Sequence, residues 1–321
     1  MRVNSDPIKY FPLTLFSSIM GLAGLTLAWM QAQRLGMVGS REIGEYLRFV
    51  ASVSYGVLLL LYGFKLLRFP QQVLADTRHP VRLNYLAAIP IAMLLLATSW
   101  YRDWPELAEL FWWAAALCLL CVTIYTVSSW IHHTHYEVTH VNPAWFIPVV
   151  GNAVAPIAGV HMAPQDFCWF FFSIGIVFWL VVMTIVMYRL FFHAPLPERI
   201  TPTLFILVAP PAVAFNSYVA LTDTVDGFAR VLYFMALFLT IVLTSNFLRF
   251  LRLPFFISAW AYSFPLAAMT LATLEMAARS GAVFYVGLSW VLLVALSIIV
   301  AWLACKTLAS ALKGTLCVPE N

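Results

Sequence analysis

Charge is what this chain has least of. Only 10% of its 321 residues are Asp, Glu, Lys or Arg, against about a quarter in an ordinary soluble domain. So little charge cannot cover a water-exposed surface. A 63% hydrophobic composition and a mean hydropathy of +0.88 turn that surface toward lipid instead. The net charge of +4 is small and scattered between apolar runs, which argues against a nucleic-acid partner. Cysteine is also scarce, with five in all: Cys118, Cys121, Cys168, Cys305 and Cys317. They imply no disulfide framework. The C-x-x-C of Cys118 and Cys121 lies inside the apolar run "AAALCLLCVTIYTV", where buried thiols behave as small hydrophobes. A P-loop, a G-x-S-x-G elbow and an H-E-x-x-H helix are all missing. The apolar runs are too poor in His, Asp and Glu to converge on a catalytic centre. Neither an enzyme nor a bound cofactor is expected.

What is abundant is long apolar sequence. Ten runs separate at polar or Pro/Gly punctuation: 10–32, 46–66, 84–101, 107–131, 143–162, 166–192, 202–221, 227–250, 256–279 and 283–311. Each is close to the roughly 20 residues a helix needs to cross a bilayer. The first lacks the short core and small-x-small site of a cleavable signal, so it is expected to be a permanent span. The whole chain, 1–321, is expected to form one transmembrane unit.

The distribution of Lys and Arg gives the orientation. One side takes Arg2, Lys9, Lys65, Arg68, Arg78, Arg82, Arg189, Arg199, Arg249, Arg252, Lys306 and Lys313; the other takes Arg34, Arg41, Arg48, Arg102, Arg230 and Arg279. Twelve against six places both termini in the cytoplasm.

Proline is distributed just as unevenly. The odd runs carry Pro12, Pro90, Pro148 with Pro156, Pro210 with Pro211, and Pro265, whereas even runs such as "IVFWLVVMTIVMYRLFF" have none inside. Internal proline removes a backbone hydrogen bond and kinks a helix. In a bilayer the freed carbonyls must be buried in protein or face a watery cavity. The expected architecture is therefore all-α: ten transmembrane helices as five parallel hairpins around a central pore. The kinked odd helices lie inside and the smooth even ones against lipid.

Three blocks then carry a resemblance: "RFPQQVLADTRHPV" (Arg68–Val81), "WFIPVVGNAVAPIAG" (Trp145–Gly159) and "AWAYSFPLA" (Ala259–Ala267). In this order they resemble the tellurite-resistance/C4-dicarboxylate transporter family, which includes bacterial TehA proteins and the plant guard-cell slow anion channel. The resemblance covers nearly the whole chain. It implies homotrimers with one pore per subunit, conduction of monovalent anions such as chloride and nitrate, and a pore-blocking phenylalanine on the ninth helix. The matching residue is Phe264. The plant channel's long phosphorylated tails have no counterpart, so kinase control of that kind is not expected and a bacterial inner membrane is.

The interiors of the odd runs hold no Lys or Arg, so the conduit is expected to be neutral. Candidate lining residues are Ser17, Ser18, Gly21, Pro90, Pro148, Gly151, Asn152, Pro210, Phe215, Asn216, Ser217, Ser263 and Pro265. A neutral pore offers little to offset dehydration. Nitrate, bromide and iodide should therefore pass at least as well as chloride, and divalent anions poorly. A proton-coupled or facilitated carrier for dicarboxylates, tellurite or sulfite is the alternative. Its coupling residue would have to be Glu275 or His161, and both fall near span ends. The stretch "HHTHYEVTH", His132 to His140, leaves a zinc site and a pH-sensitive surface both open.

Overall fold

The computed structural model describes residues 7–39, 41–132 and 136–317, and every regular element among them is helical. Among the described residues, nine helical segments are long and apolar enough to cross a membrane: Leu13–Arg34, Glu42–Arg68, Arg82–Trp100, Pro105–His132, Gln165–Phe192, Thr201–Thr222, Gly227–Ser245, Ile257–Ser280 and Val283–Leu312. A shorter apolar segment, Pro143–Gly159, falls between the fourth and fifth of these. It takes the place of the fifth expected run, shorter than the nine segments long enough to cross a membrane among the described residues. Where an eighth span reaching residue 250 is expected, the helix ends at Ser245, and Phe247–Leu251 forms a separate short turn of helix beyond Asn246.

Odd and even spans differ sharply in burial. In the first, third, seventh and ninth, 72 to 78% of the most apolar window is buried inside the protein; in the even spans the share is 22 to 39%. The fifth is buried at every position except Ile157. Large side chains on the even spans, among them Phe49, Leu60, Ile124, Phe191 and Ile298, are exposed. That surface suits hydrocarbon, in which an exposed apolar side chain costs nothing.

Contacts between spans follow the same division. Each odd span packs against the even span after it. The odd spans also touch in sequence, first to third, third to fifth, fifth to seventh and seventh to ninth, and the ninth returns to the first. The first and ninth meet through small residues. A Cβ on Gly21 would lie 2.1 Å from Ser263 Oγ, and one on Gly24 would lie 2.6 Å from the Ala267 methyl. Glycine is required at both places because the two backbones approach too closely for any side chain.

Each odd span opens in a 3-10 stretch and then becomes α-helical. The α portions begin at Phe16, Ala88, Phe146, Ala209 and Ser263. Pro90, Pro148, Pro211 and Pro265 each occupy the third α-helical position, and Ser18 does so in the first span. In the first turn of an α-helix no intrahelical partner awaits the N–H, so proline is tolerated there. The prolines thus mark junctions between two kinds of helix.

One buried charge cluster fastens the ends of the first three spans. Lys65, expected at a loop, lies within Glu42–Arg68 and is 1% exposed. Its ammonium donates to Asp76 Oδ2 at 2.6 Å and to the Phe11 carbonyl at 2.9 Å. Arg82 donates to the other Asp76 oxygen at 3.0 Å. Asp76 belongs to the short helix Pro70–Arg78. One carboxylate therefore ties together the chain entering the first span, the end of the second and the start of the third.

Candidate functional site

Two cavities lie in line within the ring of odd spans, and every residue lining them comes from an odd span or the turn at its end. The first lies at the ends where the odd spans begin. Its lining includes Thr14, Ser17, Met20, Ile91, Ile147, Val150, Ile206, Val213, Trp260 and Phe264, and the space water can occupy in it is about 50 Å³. The lining is almost wholly apolar. The second opens at the far ends, offers water about 620 Å³, and contains Asn216, Thr98, His161 and several charged groups. Phe264 and Val213 line both cavities. The phenyl ring stands where the narrow space meets the wide one.

The local fold puts it there. The second α-helical residue of each odd span is Ser17, Ile89, Ile147, Pro210 and Phe264 in turn. Four of these five, all but Ile89, line the narrow cavity, and Phe264 is the largest. The small-residue contact with the first span sets its depth, since a Cβ on Gly24 would come within 3.9 Å of Phe264 Cδ2. The ring is neither fully buried nor fully exposed. Proline at the next position withholds one N–H from the helix at this level.

Among the residues expected at the conduit, Ser17, Gly151, Pro210, Phe264 and Pro265 line the narrow cavity, and Asn216 lines the wide one. Asn216 donates to the carbonyls of Ala212 and Ala268, at 2.9 and 3.1 Å. That joins the seventh and ninth spans just past the ring.

The others line neither cavity. Gly21 and Ser263 face each other at the contact between the first and ninth spans, and Ser263 Oγ donates to the Trp260 carbonyl at 2.7 Å. Ser18 is tied to the Leu15 carbonyl at 2.6 Å. Asn152 is fully buried, and its amide donates to Thr123 Oγ1 and to the Pro148 and Val149 carbonyls at 2.8 to 3.2 Å. It therefore faces the fourth span. Phe215 is fully buried against Tyr233 of the eighth span, with ring centroids 5.6 Å apart. Ser217, Pro90 and Pro148 are buried and also line neither space.

The mouth of the wide cavity is charged, unlike the neutral lining expected of the conduit. Arg34, Arg102, Arg279, Asp223, Glu275 and His161 all line it. Arg279 donates to Glu275 Oε1 at 2.6 Å and to Asp223 Oδ1 at 2.7 Å. His161 stacks on Tyr101 with planes 9° apart and centroids at 5.2 Å. Among the described residues no group of three or more His, Cys, Asp or Glu could hold a metal. His133 and His135 of the histidine-rich stretch lie outside the described residues.

A family model described as "SLAC1: Voltage-dependent anion channel" matches residues 10–308. The chain belongs to this family. The Haemophilus influenzae tellurite resistance protein TehA homolog is 28% identical, over 87% of this chain and 83% of that protein. Two Arabidopsis thaliana S-type anion channels are also similar. SLAH2 is 27% identical over 83% of this chain, and SLAH1 is 30% identical over 72%. The chain spans about half the length of SLAH2, 52%, and 43% of SLAH3.

Proposed function

We propose that the chain is an anion channel that passes monovalent anions, nitrate and chloride among them, through a neutral conduit closed by Phe264. The observation that carries this reading is the pair of in-line cavities on five buried spans, with one aromatic ring shared between them. In this reading the ten spans are five hairpins around a quasi-fivefold axis. The odd helices form the wall and the even ones face lipid. An apolar neck excludes water and ions while it is narrow. Turning a phenyl ring about χ1 and χ2 to another staggered rotamer would open it at modest cost. In this reading the narrow end faces the cytoplasm of a bacterial inner membrane, an orientation that the twelve-to-six distribution of Lys and Arg supports. Assembly into homotrimers, each subunit with its own pore, completes the reading.

The neck holds no Lys or Arg, so weakly hydrated anions should pass at least as well as chloride. The test is an ion-substitution series of currents from purified protein in planar bilayers, for wild type, Phe264→Ala and Phe264→Leu. Both substitutions should raise anion current several-fold, reversing at the anion equilibrium potential without a proton gradient. Unchanged currents in both would remove Phe264 from the gate, and chloride well ahead of nitrate would overturn the neutral-neck argument. Flux that depends on a pH gradient would support a coupled carrier instead.

A further inference from the structure

The arginines at the wide mouth are not equivalent. Both carboxylates lining the cavity, Asp223 and Glu275, are engaged by Arg279, which also donates to the Asp223 carbonyl at 2.6 Å. The second Glu275 oxygen accepts from Gln31 Nε2 at 3.4 Å. Asp103, beside this mouth, is committed to Arg48 of the second span. Arg34 and Arg102 are left without a carboxylate hydrogen bond among the described residues. Arg34 reaches only Gln31 Oε1, at 3.4 Å, and Arg102 Nε reaches only Tyr101 Oη, at 2.9 Å. Both residues are exposed at this mouth. Tyr101 is itself braced by the His161 ring.

These two charges stand at the ends of neighbouring odd spans and line the same wide cavity. The lining holds three arginines against two carboxylates, and a cleft of net positive charge with low-dielectric walls focuses its field and concentrates anions. A guanidinium also presents paired donors that match two oxygens of a planar oxyanion, which a spherical halide cannot use.

We infer that Arg34 and Arg102 form an anion-capture site in the mouth of the wide cavity, outside the gate, that favours small planar oxyanions of the nitrate type over halides. The inference rests on the anion-conduction reading above. It separates two tasks along one path. The arginine pair gathers anions from solution, and the neutral neck beyond it releases them without a trap.

The test compares wild type, the double variant Arg34→Gln/Arg102→Gln and the charge-preserving Arg34→Lys/Arg102→Lys. Conductance in planar bilayers is measured from about 10 mM to about 1 M sodium nitrate and sodium chloride. A unit charge about 4 Å from an ion in water-like surroundings changes its local concentration about fivefold. The glutamine variant should therefore lose at least about fivefold of its low-salt current, but only for anions entering from this mouth. At about 1 M salt, where screening acts within about 3 Å, the loss should shrink below about twofold. The lysine variant should keep chloride current and lose the preference for nitrate. Glutamine variants that match wild type at low salt overturn the inference while conduction stands. A loss equal at both salt extremes does the same, because it reports a structural effect. A wild type that carries no anion current overturns the conduction reading, and this site with it.

Discussion

Replacing Gly21 with alanine tests whether Phe264 is positioned by a contact that touches neither cavity. The new methyl would sit 2.1 Å from Ser263 Oγ, 2.6 Å from Ser263 Cβ and 3.3 Å from the Trp260 ring. The first two distances are far inside van der Waals contact. Ser263 Oγ cannot swing away freely, because it holds the Trp260 carbonyl, and Trp260 is itself tied to Thr307 at 2.9 Å. The ninth span must then move away from the first. Overpacking of this kind costs about 1–3 kcal/mol, and two serine atoms in the way favour the upper half of that range. Phe264 is the next residue after Ser263, so the displaced span takes the ring with it. Gly21→Ala should lower the apparent melting temperature in detergent by several degrees and raise anion leak through liposomes. Ser263→Gly should relieve both effects in the double variant, since it removes the obstructing atoms. A Gly21→Ala protein with wild-type stability and flux would refute the reasoning, as would a double variant no better than the single one.

Two further substitutions probe the frame around the conduit. Lys65→Met leaves Asp76 buried with Arg82 as its remaining cation among the described residues, and removing one partner of a buried pair costs about 3–5 kcal/mol. The remaining Arg82 contact puts the expected loss, read by thermal unfolding, near the low end, and Lys65→Met/Asp76→Leu should regain part of it. Asp226 caps the eighth span by accepting from Ala229 N at 3.0 Å and from Tyr218 Oη at 2.7 Å, which holds its carboxyl below the usual range. A depressed carboxyl stabilises the fold above its unfolded pKa of about 3.9, and the contribution is lost as pH falls through the folded value. Asp226→Asn should lower the melting temperature modestly at neutral pH and converge on wild type below about pH 4, which flattens the acid decline.

Sequence made the membrane helices plain because lipid imposes a compositional rule that needs no partner. The alternation of proline also separated spans buried in protein from spans exposed to the bilayer, since a freed carbonyl cannot face hydrocarbon. It could not show the rotation of each helix about its own axis. Gly21, Ser263 and Asn152 are small or polar, as a conduit requires, but close packing of two helices selects the same residue types. The structure shows that packing claims all three. Phe215 and Phe264 are alike in sequence, and only tertiary packing turns one onto Tyr233 and the other into the cavity line. Lys65 looked like a loop charge because its partner Asp76 belongs to a separate helix after a turn. Arg34 and Arg102 were counted for orientation, and their shared cavity emerged only when the span ends were brought together.

The 3-10 openings of the odd spans have a mechanical consequence. A 3-10 helix rises about 2.0 Å per residue and an α-helix about 1.5 Å. The six residues Ile257–Tyr262 therefore hold about 3 Å of slack relative to the same residues wound as α-helix. They also hold about a third of a turn, because the two forms differ by about 20° per residue. Both would be delivered at the junction where Phe264 sits, without unfolding any span. Five such stretches open the odd spans, the longest of them Thr201–Val208. Four of the five lead into a proline at the third α-helical position, so rewinding them would turn the residues around the cavities while the even helices stay still.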